Sequence, residues 1–231
     1  MAKRKSEQDY AADIVDLHAQ LIEYPDSESI KKKIEYRVKK WMSFLPIRIE
    51  VANNEQRAWT ADMLGYPTCP MPTKKDIGAR QVADYVGVVT TCNGDKYIDT
   101  IIERKSLADL YSTLIIDSNR ERLYREIDRF KADERFEKMV IIVEGSYTDF
   151  MLYAPEFTAG KFDYKKRFNS KKNDSINEKK LTVLADLFVN GVPVMFCDTP
   201  TMAAQFCGRL FKESVRKNYA KIIGIDKSVN N

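Results

Sequence analysis

Apolar residues recur at helical spacing over the first part of the chain. They form two groups: Ile14, Leu17, Leu21 and Ile22, then Ile30, Ile34, Val38 and Trp41. Each group lines one face of a helix, and the segment Tyr24-Pro25-Asp26-Ser27 between them breaks the pattern. We therefore predict an N-terminal helical hairpin over residues 1–46, separate from the rest of the chain.

Beyond Pro46, short apolar runs alternate with amphipathic stretches, which is typical of an α/β domain. The predicted strands are 47–51, 82–91, 96–104, 139–143 and 192–196. The predicted helices are one that begins at Ser106, then 118–135, 176–190 and one that Thr199 caps and that reaches about residue 219. The proline-containing stretch between the first two strands predicts a loop. We assign the domain to residues 47–220 and a loose tail to 221–231.

Asn93-Gly94 lies between two of the predicted strands and is a strong signal for a two-residue hairpin turn. In the register that this turn sets, Asp84 lies directly opposite Glu103. Lys105 shares the face of Glu103, because side chains alternate along a strand. The sequence therefore predicts that two carboxylates and an ammonium group meet on one patch of sheet.

This predicted patch has the parts of a metal-dependent phosphodiesterase. Opposed carboxylates in a ladder repel each other by up to about 1 kcal/mol, so the pair favours a cation between them. Mg2+ or Mn2+ held by Asp84 and Glu103 would activate a water molecule and neutralise the leaving oxyanion. Lys105 is suited to orient the water or to stabilise developing negative charge.

The surrounding residues resemble a known signature. Asp84-Tyr85, followed by Glu103-Arg104-Lys105-Ser106-Leu107-Ala108-Asp109-Leu110, closely resembles the GDY…ERKxxxDL pattern of XPF-type structure-specific DNA nucleases. The similarity continues through further segments: 112–114 with 120–123, then 141–145, 191–194 and 199–203. It covers about residues 47–210.

The resemblance implies a restriction-endonuclease-like α/β fold, with a mixed central sheet flanked by helices, and metal-dependent cleavage of branched, forked or flapped DNA. It implies that Asp84 and Glu103 bind the metal and that Lys105 is the catalytic lysine. Arg104 and Asp109 would order the site, although Arg104 points away from Glu103. Asp109 has a second interpretation as the partner of Ser106 in a capping box.

The chain also departs from the family pattern. The family usually has Asp-x-Arg-Glu after its first strand, whereas this chain has Ala52-Asn53-Asn54-Glu55, so that only Glu55 remains as a further metal ligand. Ala83 replaces the glycine before Asp84. These departures leave open a non-cleaving DNA-binding or scaffold module, and a homing or restriction-like nuclease that shares only the core.

DNA contacts are predicted from a local cluster of basic residues, because a net charge of +4 does not by itself indicate nucleic acid. Residues 211–231 are too few for the tandem helix-hairpin-helix modules of the family, so we expect contacts from within the chain or from a partner, including a second copy. The predicted DNA-contacting residues are Lys161, Lys165, Lys166, Arg167, Lys171, Lys172 and Arg120.

Composition excludes several other classes. His18 is the single histidine and the four cysteines show no CxxC spacing, which argues against a zinc site and a histidine-based triad. Scattered cysteines and the lack of a long apolar run indicate a reducing compartment and no membrane span. We expect a cytoplasmic protein, or one associated with DNA in the nucleoid or nucleus.

Overall fold

The computed structural model describes residues 5–72, 83–153, 156–158, 161–163 and 174–225. Its helices are α1 Glu7–Glu23, α2 Glu28–Met42, α3 Ala61–Leu64, α4 Leu107–Ile115, α5 Asp117–Lys131, α6 Tyr147–Leu152, α7 Asp174–Val189, α8 Pro200–Lys217 and α9 Tyr219–Ile223. Its strands are β1 Ile47–Val51, β2 Thr68–Pro70, β3 Tyr85–Thr91, β4 Gly94–Ser106, β5 Lys138–Glu144, β6 Glu156–Thr158, β7 Lys161–Asp163 and β8 Val194–Phe196.

Six of the strands form one mixed sheet in the order β2-β1-β3-β4-β5-β8. Strand β3 runs antiparallel to β1 and β4, whereas β4, β5 and β8 run parallel to one another. The predicted mixed sheet flanked by helices is confirmed. The predicted proline-rich loop differs, because it contains α3 and the strand β2, which pairs in parallel with β1.

Helices cover both faces of the sheet, and each face has its own apolar core. On one face, Ile102 of β4 packs in a cluster with α1, α2 and α8. On the other face, Ile101 packs in a cluster with α4, α5, α6 and α7. Adjacent residues of β4 therefore belong to opposite cores, as the two-residue period of a strand requires.

The predicted N-terminal helical hairpin is confirmed, but it is not separate from the domain. Ile14 and Trp41 are fully buried in the same cluster as Phe211 of α8. The indole Nε1–H of Trp41 also donates to Oε1 of Glu7 at 2.6 Å, which ties α2 to α1. The hairpin therefore completes the core on one face of the sheet.

The β3–β4 hairpin has a different turn from the predicted one, but its pairing at the end away from the turn is the predicted pairing. Its loop is Cys92-Asn93, because Thr91 pairs with Gly94, whose φ of 93° lies in the left-handed region. The predicted turn at Asn93-Gly94 is thus wrong by one residue.

An irregularity further along the ladder restores the predicted register. Between the pairs Val86↔Ile101 and Val88↔Tyr97, Gly87 alone faces three residues of β4. The offset is two residues, so it does not turn any side chain to the other face. The last pair is Tyr85↔Ile102, which places Asp84 beside Glu103 as predicted.

The C-terminal part is ordered further than predicted. Helix α9 extends into the stretch assigned to the loose tail, and Ile222 is buried against the core. All four cysteines are free. Within the described ranges, no helix has both the length and the apolar character needed to cross a membrane.

Candidate active site

Asp84, Glu103 and Lys105 meet at the end of the β3–β4 hairpin. The Lys105 ammonium contacts Oε1 of Glu103 at 2.6 Å, and both side chains are nearly buried. Oδ2 of Asp84 accepts the backbone N–H of Arg104 at 2.8 Å. The carbonyl of Asp84 accepts the N–H of Ala52, which fixes the strand end against the loop after β1.

This group contains two carboxylates and one ammonium group, so its negative charge is only partly balanced. Burial, and then the charge of Glu103, raise the pKa of Asp84 to about 7. Burial acts to lower the pKa of Lys105, but its attraction to Glu103 outweighs this and raises the pKa overall. Lys105 is therefore a charged group, and a further cation beside Asp84 would be stabilised.

Arg104 lies on the other side of strand β4. Its guanidinium makes two hydrogen bonds with the Glu144 carboxylate, at 2.8 and 2.6 Å, and one with Oε1 of Glu55 at 3.0 Å. The same Glu55 oxygen accepts the backbone N–H of Arg57 at 2.9 Å. Glu55, predicted as a metal ligand, is thus bound to Arg104, and it lines the same cleft as Asp84 and Glu103.

Asp109 lies in the first turn of helix α4 and is the partner of the N-cap residue Ser106. Its N–H donates to Oγ of Ser106 at 3.1 Å, and the Ser106 hydroxyl donates to Oδ2 of Asp109 at 2.7 Å. Asp109 also lines the cleft that contains Asp84 and Glu103. The capping interpretation therefore describes its contacts, and the residue still borders the site.

The site opens into a cleft of about 800 Å³ with a strongly polar lining. Residues 54–57 form one wall, and helices α4 and α5 form the other. Three arginines, Arg57, Arg122 and Arg129, lie on these walls beside the central carboxylates. This arrangement suits a polyanion whose phosphates reach toward Asp84 and Glu103.

Glu126 was not predicted as a site residue, and it lies between two of these arginines. Its Oε1 is 3.6 Å from Nε of Arg122 and 3.8 Å from the guanidinium of Arg129. Burial, and then the charge of Glu103, raise its pKa. The spacing of 122, 126 and 129 along α5 marks one helix face, and that signal was available in the sequence.

The structure describes two of the seven predicted DNA-contacting residues, Arg120 and Lys161. The Arg120 guanidinium is bound to the carbonyl of Leu114 at 3.1 Å and to Asp117 at 2.7 Å, near the start of α5. Lys161 begins strand β7. The remaining five lie outside the described residues: Lys165, Lys166, Arg167, Lys171 and Lys172. Among the residues that are described, no three His, Cys, Asp or Glu side chains are grouped as a metal site.

The ERCC4 domain matches residues 72–210, which include Asp84, Glu103, Lys105 and Asp109. The chain belongs to the ERCC4 domain family. The predicted resemblance to XPF-type nucleases is confirmed, and membership of this family supports a DNA nuclease or DNA repair role. Ala52, Asn54 and Glu55 lie outside the matched residues.

Solved structures similar to this ERCC4 domain include XPF from Aeropyrum pernix, with 18% identity, a TM-score of 0.47, and coverage of 76% of this chain and 68% of that chain. XPF from Aeropyrum pernix in complex with DNA matches with 17% identity, a TM-score of 0.43, and coverage of 74% and 65%. No curated protein sequence matches the chain.

Proposed function

We propose that this protein is a divalent-metal-dependent endonuclease that hydrolyses phosphodiester bonds in branched, forked or flapped DNA. The observation that carries the proposal is the convergence of Asp84, Glu103 and Lys105 in an open polar cleft. Membership of the ERCC4 domain family supports it. We also propose that the cleft arginines hold the DNA backbone.

The residues present fit a divalent cation. Asp84 and Glu103 offer carboxylate oxygens, which Mg2+ and Mn2+ prefer. Lys105 is paired with Glu103, whereas burial and the charge of Glu103 raise the pKa of Asp84, so a cation beside Asp84 would favour its charged form. When bound, the cation would lower the pKa of a water molecule and neutralise the leaving oxyanion.

The protein's own groups have separate tasks in this mechanism. Lys105, held by Glu103 at 2.6 Å, presents a fixed positive charge that orients the attacking water and stabilises charge on the phosphate. Arg57, Arg122 and Arg129 bind neighbouring phosphates on the cleft walls. The backbone N–H of Arg104 fixes the orientation of the Asp84 carboxylate.

A cleavage assay tests the proposal. The protein is incubated with labelled flap, fork and linear duplexes in Mg2+, in Mn2+ or in a chelator, together with the Asp84→Asn variant. We expect metal-dependent cleavage of the branched substrates by the wild type and none by the variant. Cleavage that persists in Asp84→Asn would contradict the site assignment.

One observation favours a second function, a DNA-binding or scaffold module without cleavage. Glu55 is engaged with Arg104, so two carboxylates rather than three face the proposed cation. Binding of flap and fork DNA by the wild type, with no cleavage in either metal, would establish this alternative.

Metal binding is expected to depend on pH because Asp84 must lose its proton first. With a pKa of about 7, the metal-free carboxyl is mostly protonated below that pH. The apparent affinity for Mn2+ should therefore rise by up to about tenfold per pH unit toward pH 7 and become constant above it. Calorimetry in buffers of different ionisation enthalpy measures both the affinity and the released proton. An affinity that is constant from acid to neutral pH would contradict the prediction.

The cleft arginines are expected to contribute to DNA affinity through charge. Arg122→Ala and Arg129→Ala should each reduce the slope of log affinity against log salt by about one, because each removes one phosphate contact. Fluorescence anisotropy with a fork at several salt concentrations measures the slope. Arg125→Ala, an exposed arginine of α5 outside the cleft lining, is the matched control and should leave the slope unchanged.

A further inference from the structure

We infer that Glu144 is a positioning residue of the proposed nuclease site. It acts through Arg104 and Trp59 to hold the cleft wall and strands β4 and β5 in place. The inference rests on the proposed function. Glu144 is the last residue of strand β5, and nothing in the sequence distinguishes it from other acids at the end of a buried strand.

The contacts of Glu144 are short and protected from solvent. Its carboxylate accepts two hydrogen bonds from the Arg104 guanidinium, and its Oε1 also accepts the indole Nε1–H of Trp59 at 2.7 Å. The side chains of Glu144 and Arg104 are only 7% and 13% exposed. Two parallel hydrogen bonds between charged groups make a directional contact, and removing one partner of a buried ion pair is costly because the other charge is left uncompensated.

These contacts close a ring that includes the site. Trp59 stacks on Tyr85 with ring centroids 4.6 Å apart, and its backbone N–H donates to the Tyr85 hydroxyl at 2.9 Å. Tyr85 follows Asp84 in the chain, and the Asp84 carboxylate accepts a hydrogen bond from the backbone N–H of Arg104. Starting from Glu144, one path through Trp59 and another through Arg104 therefore both end at Asp84.

The same ring also fixes the cleft wall. Arg104 holds Glu55 at 3.0 Å, and Glu55 belongs to the wall formed by residues 54–57. Of the two carboxylates that bind the Arg104 guanidinium, only Glu55 would remain in a variant without Glu144. We expect the guanidinium to shift toward Glu55, which moves the wall and loosens the hold on Asp84. Groups that orient metal ligands in this way change metal affinity or activity when removed.

The matched control is Glu7, the acid that accepts the indole hydrogen bond of the other tryptophan, Trp41, in the N-terminal hairpin. The variants are Glu144→Gln, which keeps an oxygen acceptor for Trp59, Glu144→Ala, which removes it, and Glu7→Gln. Cleavage of a fork, Mn2+ affinity by calorimetry, tryptophan emission and the folded fraction by circular dichroism are measured at one temperature.

For Glu144→Ala we expect cleavage and Mn2+ affinity to fall by about 10-fold to 100-fold, with changed tryptophan emission. Glu144→Gln should recover most of both, because it restores the Trp59 contact and one acceptor for Arg104. Glu7→Gln should keep the wild-type cleavage and Mn2+ affinity.

Two results would overturn the inference: unchanged Mn2+ affinity and cleavage in Glu144→Ala, or losses that match the unfolded fraction. A wild type that binds Mn2+ but does not cleave would reject the proposed function, whereas the Mn2+ affinities would still test the role of Glu144.

Discussion

Replacement of Lys105 by methionine is expected to lower the rate of fork cleavage by about 100-fold to 1000-fold, the usual loss for one charge-stabilising donor at a reacting centre. The ammonium group is the one cation paired with Glu103 in the described part of the site. Methionine keeps the apolar stem and removes the charge. Single-turnover cleavage with saturating protein measures the chemical step directly.

The control for Lys105→Met is Lys96→Met, which removes an exposed lysine near the turn of the same hairpin. We expect wild-type cleavage from this control and a nearly unchanged affinity of both variants for fork DNA. Cleavage by Lys105→Met at more than one tenth of the wild-type rate would remove Lys105 from the chemical step.

Replacement of Lys180 by methionine is expected to destabilise the protein by about 3 kcal/mol, because it removes a buried ammonium donor that backbone carbonyls share. Lys180 is fully buried, and its ammonium donates to the carbonyls of Phe150, Met151 and Tyr153 at 2.8–3.0 Å. It thus caps the C-terminal end of α6 from helix α7. Urea denaturation followed by circular dichroism measures the change.

The neighbouring residue supplies the control. Lys179 also donates to a carbonyl, that of Ile115, but its side chain is 38% exposed and water can replace the contact. Lys179→Met should therefore cost less than about 1 kcal/mol. Equal losses of stability in the two variants would show that burial of the Lys180 ammonium does not cause its larger expected effect.

The hydrophobic pattern predicted the main helices and strands because it records which face of each element is buried. Ser106 and Thr199 are the N-caps of helices α4 and α8, and the apolar run in β5 is buried on both faces. The pattern failed where elements are short: α3, α6 and β2 span too few residues to show a period.

The β3–β4 hairpin has the predicted pairing at the end that carries the site but not at its turn. The turn differs from the expected one, and the ladder contains an irregularity at Gly87. The two deviations compensate, because the ladder shifts by two residues and side chains repeat every two. Asp84 and Glu103 therefore meet as predicted, although the intervening pairs differ.

The sequence by itself determined the α/β class, the family and the group Asp84, Glu103 and Lys105, because alternation along adjacent strands is local and the motif is short. Only the tertiary structure showed that Glu55 and Glu144 share Arg104, that the face of α5 with Glu126 borders the cleft, and that the N-terminal hairpin completes the core. These contacts join residues far apart in the chain. Their geometry depends on how the sheet packs its helices, which no local period records.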